Sequence, residues 1–124
     1  MREILFRGKS ISHGMWVIGD YTEHAFNERP TICDECGWDN VDPNTVGQFT
    51  GMFDAGGKKI FEGDIMTTAV GGLKINTGVV EFSDGAFGLR CISGDALFLC
   101  FVAGSFMVIG NIHDDPELMK TDEE

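Results

Sequence analysis

The chain has 124 residues, with 20 Asp and Glu against 9 Lys and Arg, giving a formal charge of −11 with neutral histidines. A chain of this length buries roughly two thirds of the surface it exposes when unfolded, enough for one apolar core and too little for two. With 43% hydrophobic and 23% charged residues the composition excludes wholesale disorder, and 17 glycines against 3 prolines, well above the usual glycine share of ~7%, announce many tight turns.

At the N-terminus, MREILFRGKS lacks the uninterrupted apolar stretch of ~7–15 residues that a secretory signal needs. The expected location is the cytoplasm. Arg2–Arg7 and Met15–Gly19 are rich in apolar and β-branched residues, too short for helices, and separated by Ser12, His13 and Gly14, so they predict a first hairpin. Thr22–Asn40 is polar and acidic, contains Pro30 and CDECGW, and reads as a long surface loop inserted over 22–40. Val46–Phe53 and Lys58–Phe61 flank Asp54–Gly57, and Ile65–Val70 and Leu73–Thr77 flank Gly71-Gly72; both patterns predict hairpins. Val79–Phe82 and Ala86–Arg90 around Ser83-Asp84-Gly85 predict another, and Ser93-Gly94-Asp95 repeats the device. The apolar run Ala96–Ile109 is too short to span a bilayer and is broken by Gly104 and Ser105, so two buried strands are expected there and no membrane association. The last strand falls over Phe106–Ile112. Asp115 as N-cap and Pro116 at the first position then predict one helical turn through Met119, followed by a disordered acidic tail, 120–124.

Apolar residues never recur at helical spacing over a long uninterrupted stretch, which argues against a helical bundle. The closely spaced strands predict an all-β fold, a small barrel or sandwich built from hairpins. Residues 1–119 are expected to form one domain.

Several blocks, in order, resemble the YopX family of bacteriophage and prophage proteins. REILFRGK is similar to the family's basic first strand and WVIGD, Trp16–Asp20, to its second. VDPNTVGQFTGMFDAGGKKIFEGDI, Val41–Ile65, matches its most recognisable stretch, and GVVEFSDGAFGLR and VIGNIHDDPELM its closing blocks. The resemblance implies an SH3-like, partly open barrel and a phage or prophage origin, and supplies no catalytic residue. All four cysteines lie in segments without a counterpart in the family pattern.

Cys33 and Cys36 have the C-x2-C spacing that lets two thiolates reach one zinc ion, which makes them weak metal candidates. The second close pair is missing, however, since Cys91 and Cys100 are nine apart. Cys100, inside LFLCF, reads as a buried apolar thiol. His13 or His24 could complete a site, but no spacing requires it. Glu62 and Asp64 around Gly63 could be drawn as an acid/base pair, yet such acids more simply solvate a turn or accept backbone N–H bonds. His113 of His113-Asp114-Asp115 is expected to pack its ring rather than ligate. No Walker loop, dinucleotide fingerprint or nucleophile elbow occurs, so no enzyme, no catalytic residue and no cofactor is expected.

Arg2, Arg7 and Lys9 form the main basic cluster and Lys58-Lys59 a second, small against the field of a −11 chain, which argues against nucleic acid. The expectation is a cytoplasmic, non-enzymatic module acting by contact with a host or phage protein or with a second copy of itself. A metal-stabilised or enzymatic module on the Cys33/Cys36 loop and a nucleic-acid-associated SH3-like module are the alternatives. The loops Asp54–Gly57, Gly71–Gly72 and Ser83–Gly85 are the expected places for a ligand or partner.

Overall fold

Every strand pairing in the structure, a computed structural model that describes residues 4–23, 29–68 and 77–120, is antiparallel, as hairpins joined by short glycine- and aspartate-bearing turns require. The chain divides into two compact units, Met1–Phe49 and Thr50–Glu124, and strand β5 (Gly47–Phe53) passes from the first into the second.

In the first unit, β1 (Phe6–Lys9) pairs with β2 (Trp16–Thr22), setting Phe6 opposite Gly19 and Lys9 opposite Trp16. Next to β2 lies β3 (Thr31–Asp34), then β4 (Gly37–Asn40), while the start of β5 lies along the other side of β1 with Gly47 opposite Arg7. Ile32 and Val41 are buried. Gly8 lets them close over β1, since a Cβ there would press on both side chains. Asp42 starts a 3-10 turn over Pro43–Thr45, its Oδ1 accepting the Asn44 N–H at 3.0 Å. Thr45 Oγ1 donates to the Asp42 carbonyl at 2.6 Å and accepts the Lys9 N–H at 2.9 Å, which pins the turn to the end of β1.

The surface loop expected over 22–40 is corrected by the β3–β4 hairpin, which occupies residues 31–40; residues 24–28 lie outside the described ones. Thr31 and Ile32, on opposite faces of β3, are both buried, while Asp34 organises the hairpin turn, Oδ1 accepting the N–H groups of Cys36 at 2.8 Å and Gly37 at 3.1 Å. Asp34, one of the acids that read as a solvated loop, is therefore a turn former, a role aspartate fills by mimicking a backbone carbonyl.

In the second unit the end of β5 forms a hairpin with β6 (Lys59–Phe61) around Asp54–Gly57. A five-stranded sheet follows in the order β10-β9-β8-β7-β11, made of β7 (Asp64–Thr68), β8 (Gly78–Ser83), β9 (Ala86–Cys91), β10 (Ala96–Phe98) and β11 (Phe106–Asn111). At the β8–β9 turn Asp84 and Gly85 both take positive φ, 53° and 83°, the pair of left-handed residues that a two-residue hairpin demands. The predicted Gly71–Gly72 turn lies outside the described residues, as does most of the 120–124 tail. Ile60, Met66, Val80, Leu89, Cys91, Leu99, Ala103 and Phe106 form the core of this unit.

The two strands expected over Ala96–Ile109 are interrupted. Between β10 and β11 the chain forms one helical turn, α1 (Leu99–Val102), continued as 3-10 turn over Ala103–Ser105. The reason is positional: in a helical turn residues i and i+4 share a face, so Leu99 and Ala103 both enter the core while the chain crosses beneath the sheet. The same turn leaves Cys100 exposed, which corrects its reading as a buried thiol.

The C-terminal turn forms over Pro116–Met119 as 3-10 helix with Asp115 at its N-cap. The Asp115 carboxylate does not cap its own helix. Its Oδ2 instead accepts the Asn111 N–H at 3.2 Å, and Gly110 permits this approach, because a Cβ there would stand 2.6 Å from that oxygen. The fold is thus all-β apart from these short turns. Among the described residues neither unit closes a barrel, so the partly open form of the expectation describes it.

Candidate functional site

Asp54 is buried, only 7% exposed, at the start of the β5–β6 turn. Its Oδ1 accepts the N–H groups of Gly56 and Lys58, each at 2.9 Å, and its Oδ2 accepts the N–H of Val108 in β11 at 2.9 Å. Burial alone would raise this carboxyl; the three backbone donors and the Lys58 charge outweigh it and hold the group below its ordinary value. The loop expected to host a ligand is thereby a structural clasp whose carboxylate oxygens face inward.

Asp64 follows the same logic. It is buried, and its Oδ2 accepts the Phe61 N–H at 2.8 Å, while Glu62 stays half-exposed, so the pair divides into a turn former and a surface acid. His113 is exposed, which corrects the expectation that its ring packs. Its backbone N–H and that of Asp114 donate to Asn111 Oδ1, at 3.0 and 2.9 Å.

Cys33 stands half-buried on β3, opposite Trp38, and Cys36 is exposed in the β3–β4 turn. Among the described residues no group of three or more His, Cys, Asp or Glu side chains is placed to hold a metal ion. His13 meets Asp39 instead, Nε2 to Oδ1 at 3.4 Å, and His24 lies outside the described residues. Cys91, at the end of β9, is buried in the core, where desolvation first and the nearby Asp95 charge second push its thiol up, away from the reactive thiolate.

The basic cluster of the first unit is partly engaged with an aromatic ring. The Arg7 guanidinium lies 4.9 Å and the Lys9 ammonium 5.7 Å from the Trp16 ring centre, as cross-strand pairing of β1 with β2 dictates. Arg2 lies outside the described residues.

Some of the ten phenylalanines of the chain form a surface in the second unit. Phe98 is 61% exposed and Phe101 80%, and their rings meet edge to face at 6.1 Å. Phe82 is also exposed and packs edge to face on Phe87 at 5.0 Å. An open cleft of about 290 Å³ runs along β8, β9 and β10, bounded by Phe98, Phe87, Arg90, Glu81 and the Ser83-Asp84 turn. Gly88, which stands between Glu81 and Phe98 across the three strands, contributes no side chain to the cleft floor. Arg90 Nε donates to Glu81 Oε2 at 3.1 Å across the floor, an exposed pair. Of the loops expected to carry a ligand, Ser83–Gly85 borders this cleft and Asp54–Gly57 does not, while Gly71–Gly72 lies outside the described residues. The spacing of Phe98 and Phe101 was a legible signal, but it needed the helical turn at Leu99 to put both rings on one side.

Two small antiparallel units, a carboxylate clasp and a sheet with an aromatic margin define an all-β protein without a recognisable catalytic constellation among the described residues. The family model described as YopX protein matches residues 6–120, and the chain belongs to the YopX family. The fold is also similar to the crystal structure of protein EF1440 from Enterococcus faecalis, with a TM-score of 0.59 at 19% identity, covering 97% of this chain and 100% of that one. No curated protein matches the sequence. No helix among the described residues is long and apolar enough to cross a membrane.

Proposed function

We propose that this chain is a phage- or prophage-encoded, cytoplasmic, non-enzymatic module that acts by protein contact. One observation carries the reading: Phe98 and Phe101 are exposed with their rings in contact, Phe98 lining an open cleft of the second unit, in a chain whose excess charge would keep a surface without a contact role polar. Aromatic side chains left in water are the usual anchors of protein interfaces, since they bury large area at little entropic cost. The most buried carboxylates, Asp54 and Asp64, are committed to backbone N–H groups, which supports the non-enzymatic half of the reading. The bacterial setting is supported by the source of EF1440, and the phage origin by the family resemblance of the sequence blocks.

The test is crosslinking and co-purification of the tagged full chain from a bacterial host carrying the corresponding phage or prophage, beside a Phe98→Ser/Phe101→Ser variant shown to be folded. Partners, or a second copy, recovered with the parent chain and lost with the variant support the reading. Equal recovery with both, or nothing above background with a monomeric chain, overturns it.

A further inference from the structure

We infer that the outer edge of β10 is where two copies of this chain meet, strand against strand; this rests on the protein-contact reading and names the partner. The two edges of the five-stranded sheet are treated differently. On β11 the edge is taken: Asp54 accepts the Val108 N–H, the Ala55 N–H donates to the Phe106 carbonyl at 2.9 Å, the strand bulges between Val108 and Gly110, and Leu118 and Asp115 lie over Gly110. On β10 none of these devices is present among the described residues, where the strand pairs with β9 alone. Edge strands are normally protected by charge, proline, a bulge or shortness, and β10, with three residues, has only the last. Here no Asp, Glu, Lys or Arg occurs from Ala96 to Ile112, and two phenylalanines stand exposed beside the open edge.

Charge decides which partner fits. Two chains of −11 repel over most of their surfaces, so close approach of a second copy favours an uncharged strip, and the β10 edge is one. Antiparallel pairing about a two-fold axis makes that strip its own complement. With the axis at Leu97, each Ala96 faces Phe98 of the other copy, a small residue against a large one on the cleft side of the sheet, where Gly88 already leaves room beside Phe98. In this register the two copies of Asp95, the nearest acids, are displaced from each other by four positions, on the order of 13 Å, beyond the screening length of physiological salt. Phe101, stacked on Phe98, is covered by the same contact.

Sedimentation equilibrium of the full chain, under reducing conditions so that Cys36 and Cys100 cannot crosslink copies, tests this over about a hundredfold range of concentration. The expected result is a monomer–dimer equilibrium whose dissociation constant rises at least ~100-fold in Phe98→Lys, because a charge placed on an edge strand opposes pairing. Phe82→Lys, at an exposed phenylalanine of the same sheet away from the edge, should leave it within about twofold, as distant sites do. Circular dichroism melts establish that both variants fold. Amide exchange at Ala96 and Phe98, whose N–H groups point away from β9, should slow as the dimer forms. A chain that stays monomeric throughout, or a dimer indifferent to Phe98→Lys, overturns the inference. If the monomeric chain still captures another protein in a Phe98- and Phe101-dependent way, only this inference falls; if it captures nothing, the protein-contact reading falls with it.

Discussion

The Asp54 carboxylate accepts the backbone N–H of Val108 at 2.9 Å, joining residues 54 positions apart in the chain. Because its other oxygen already holds the β5–β6 turn through Gly56 and Lys58, one side chain locks a local turn and a distant edge strand at once. Asp54→Ala removes the acceptor for three backbone donors, one of them in the sheet edge. Hydrogen bonds to a charged group contribute about 1.5–3 kcal/mol each, and replacement water recovers part of that, so a loss of about 3 kcal/mol is expected. Urea unfolding midpoints of variant and parent measure it.

The same carboxylate sets part of the acid sensitivity. Burial pushes Asp54 up, but the N–H groups of Val108, Lys58 and Gly56 and the Lys58 charge bring it below 3.8, its value when unfolded. A carboxyl depressed by folding stabilises the protein above its unfolded value, and that contribution fades as pH falls through the lower folded one. As pH falls below about 4 the stability of the parent should therefore drop more steeply than that of Asp54→Asn, which cannot titrate. Equilibrium unfolding followed across that range checks the difference in slope.

Leu99 and Phe101 sit two apart on the helical turn and should respond oppositely to truncation. Leu99 is fully buried in the core of its unit, so Leu99→Ala is expected to cost about 2–5 kcal/mol. Phe101 is 80% exposed, and Phe101→Ala should change monomer stability by no more than about 0.5 kcal/mol. Thermal melts at a concentration low enough to keep the chain monomeric separate the two.

Glycine positions offer a matched pair. A Cβ on Gly19 would overlap the Cys33 carbonyl of the neighbouring strand, whereas one on Gly104 meets nothing and needs no unusual φ. Gly19→Ala should therefore disrupt the β2–β3 pairing and destabilise by at least about 2 kcal/mol, while Gly104→Ala should be neutral or stabilising by up to about 1 kcal/mol. Parallel denaturant titrations give both signs.

The four thiols should label in a fixed order. Cys36 and Cys100 are exposed, Cys33 is half-buried, and Cys91 is buried with its thiol pushed up by desolvation. In the native protein a maleimide reagent should modify the first two quickly, Cys33 more slowly, and Cys91 only when the sheet opens, which peptide mass analysis over time resolves. Rapid modification of Cys91 under native conditions would contradict its place in the core.

Local pattern determined much of this protein without help from tertiary structure. Turn chemistry at Asp54–Gly57 and Asp84-Gly85 placed two hairpins, because only residues that tolerate left-handed φ or supply a side-chain acceptor close such turns, and the family blocks from Val41 to Ile65 placed the chain among YopX proteins. Tertiary structure decided what side chains at equal local propensity could not. Thr31–Asn40 looked like a solvated loop because its acids are exposed, yet Thr31 and Ile32 are both buried, and burial outweighed composition. Phe98, Leu99, Cys100 and Phe101 have similar apolarity, and only the crossover beneath the sheet chose which enters the core and which stands at the margin. The acids divide in the same way: the charge of −11 reports surface excess, while Asp54 and Asp64 are buried where backbone N–H groups hold them. A sequence counts such residues alike, and only the fold distinguishes a carboxylate that clasps the sheet from one that merely meets water.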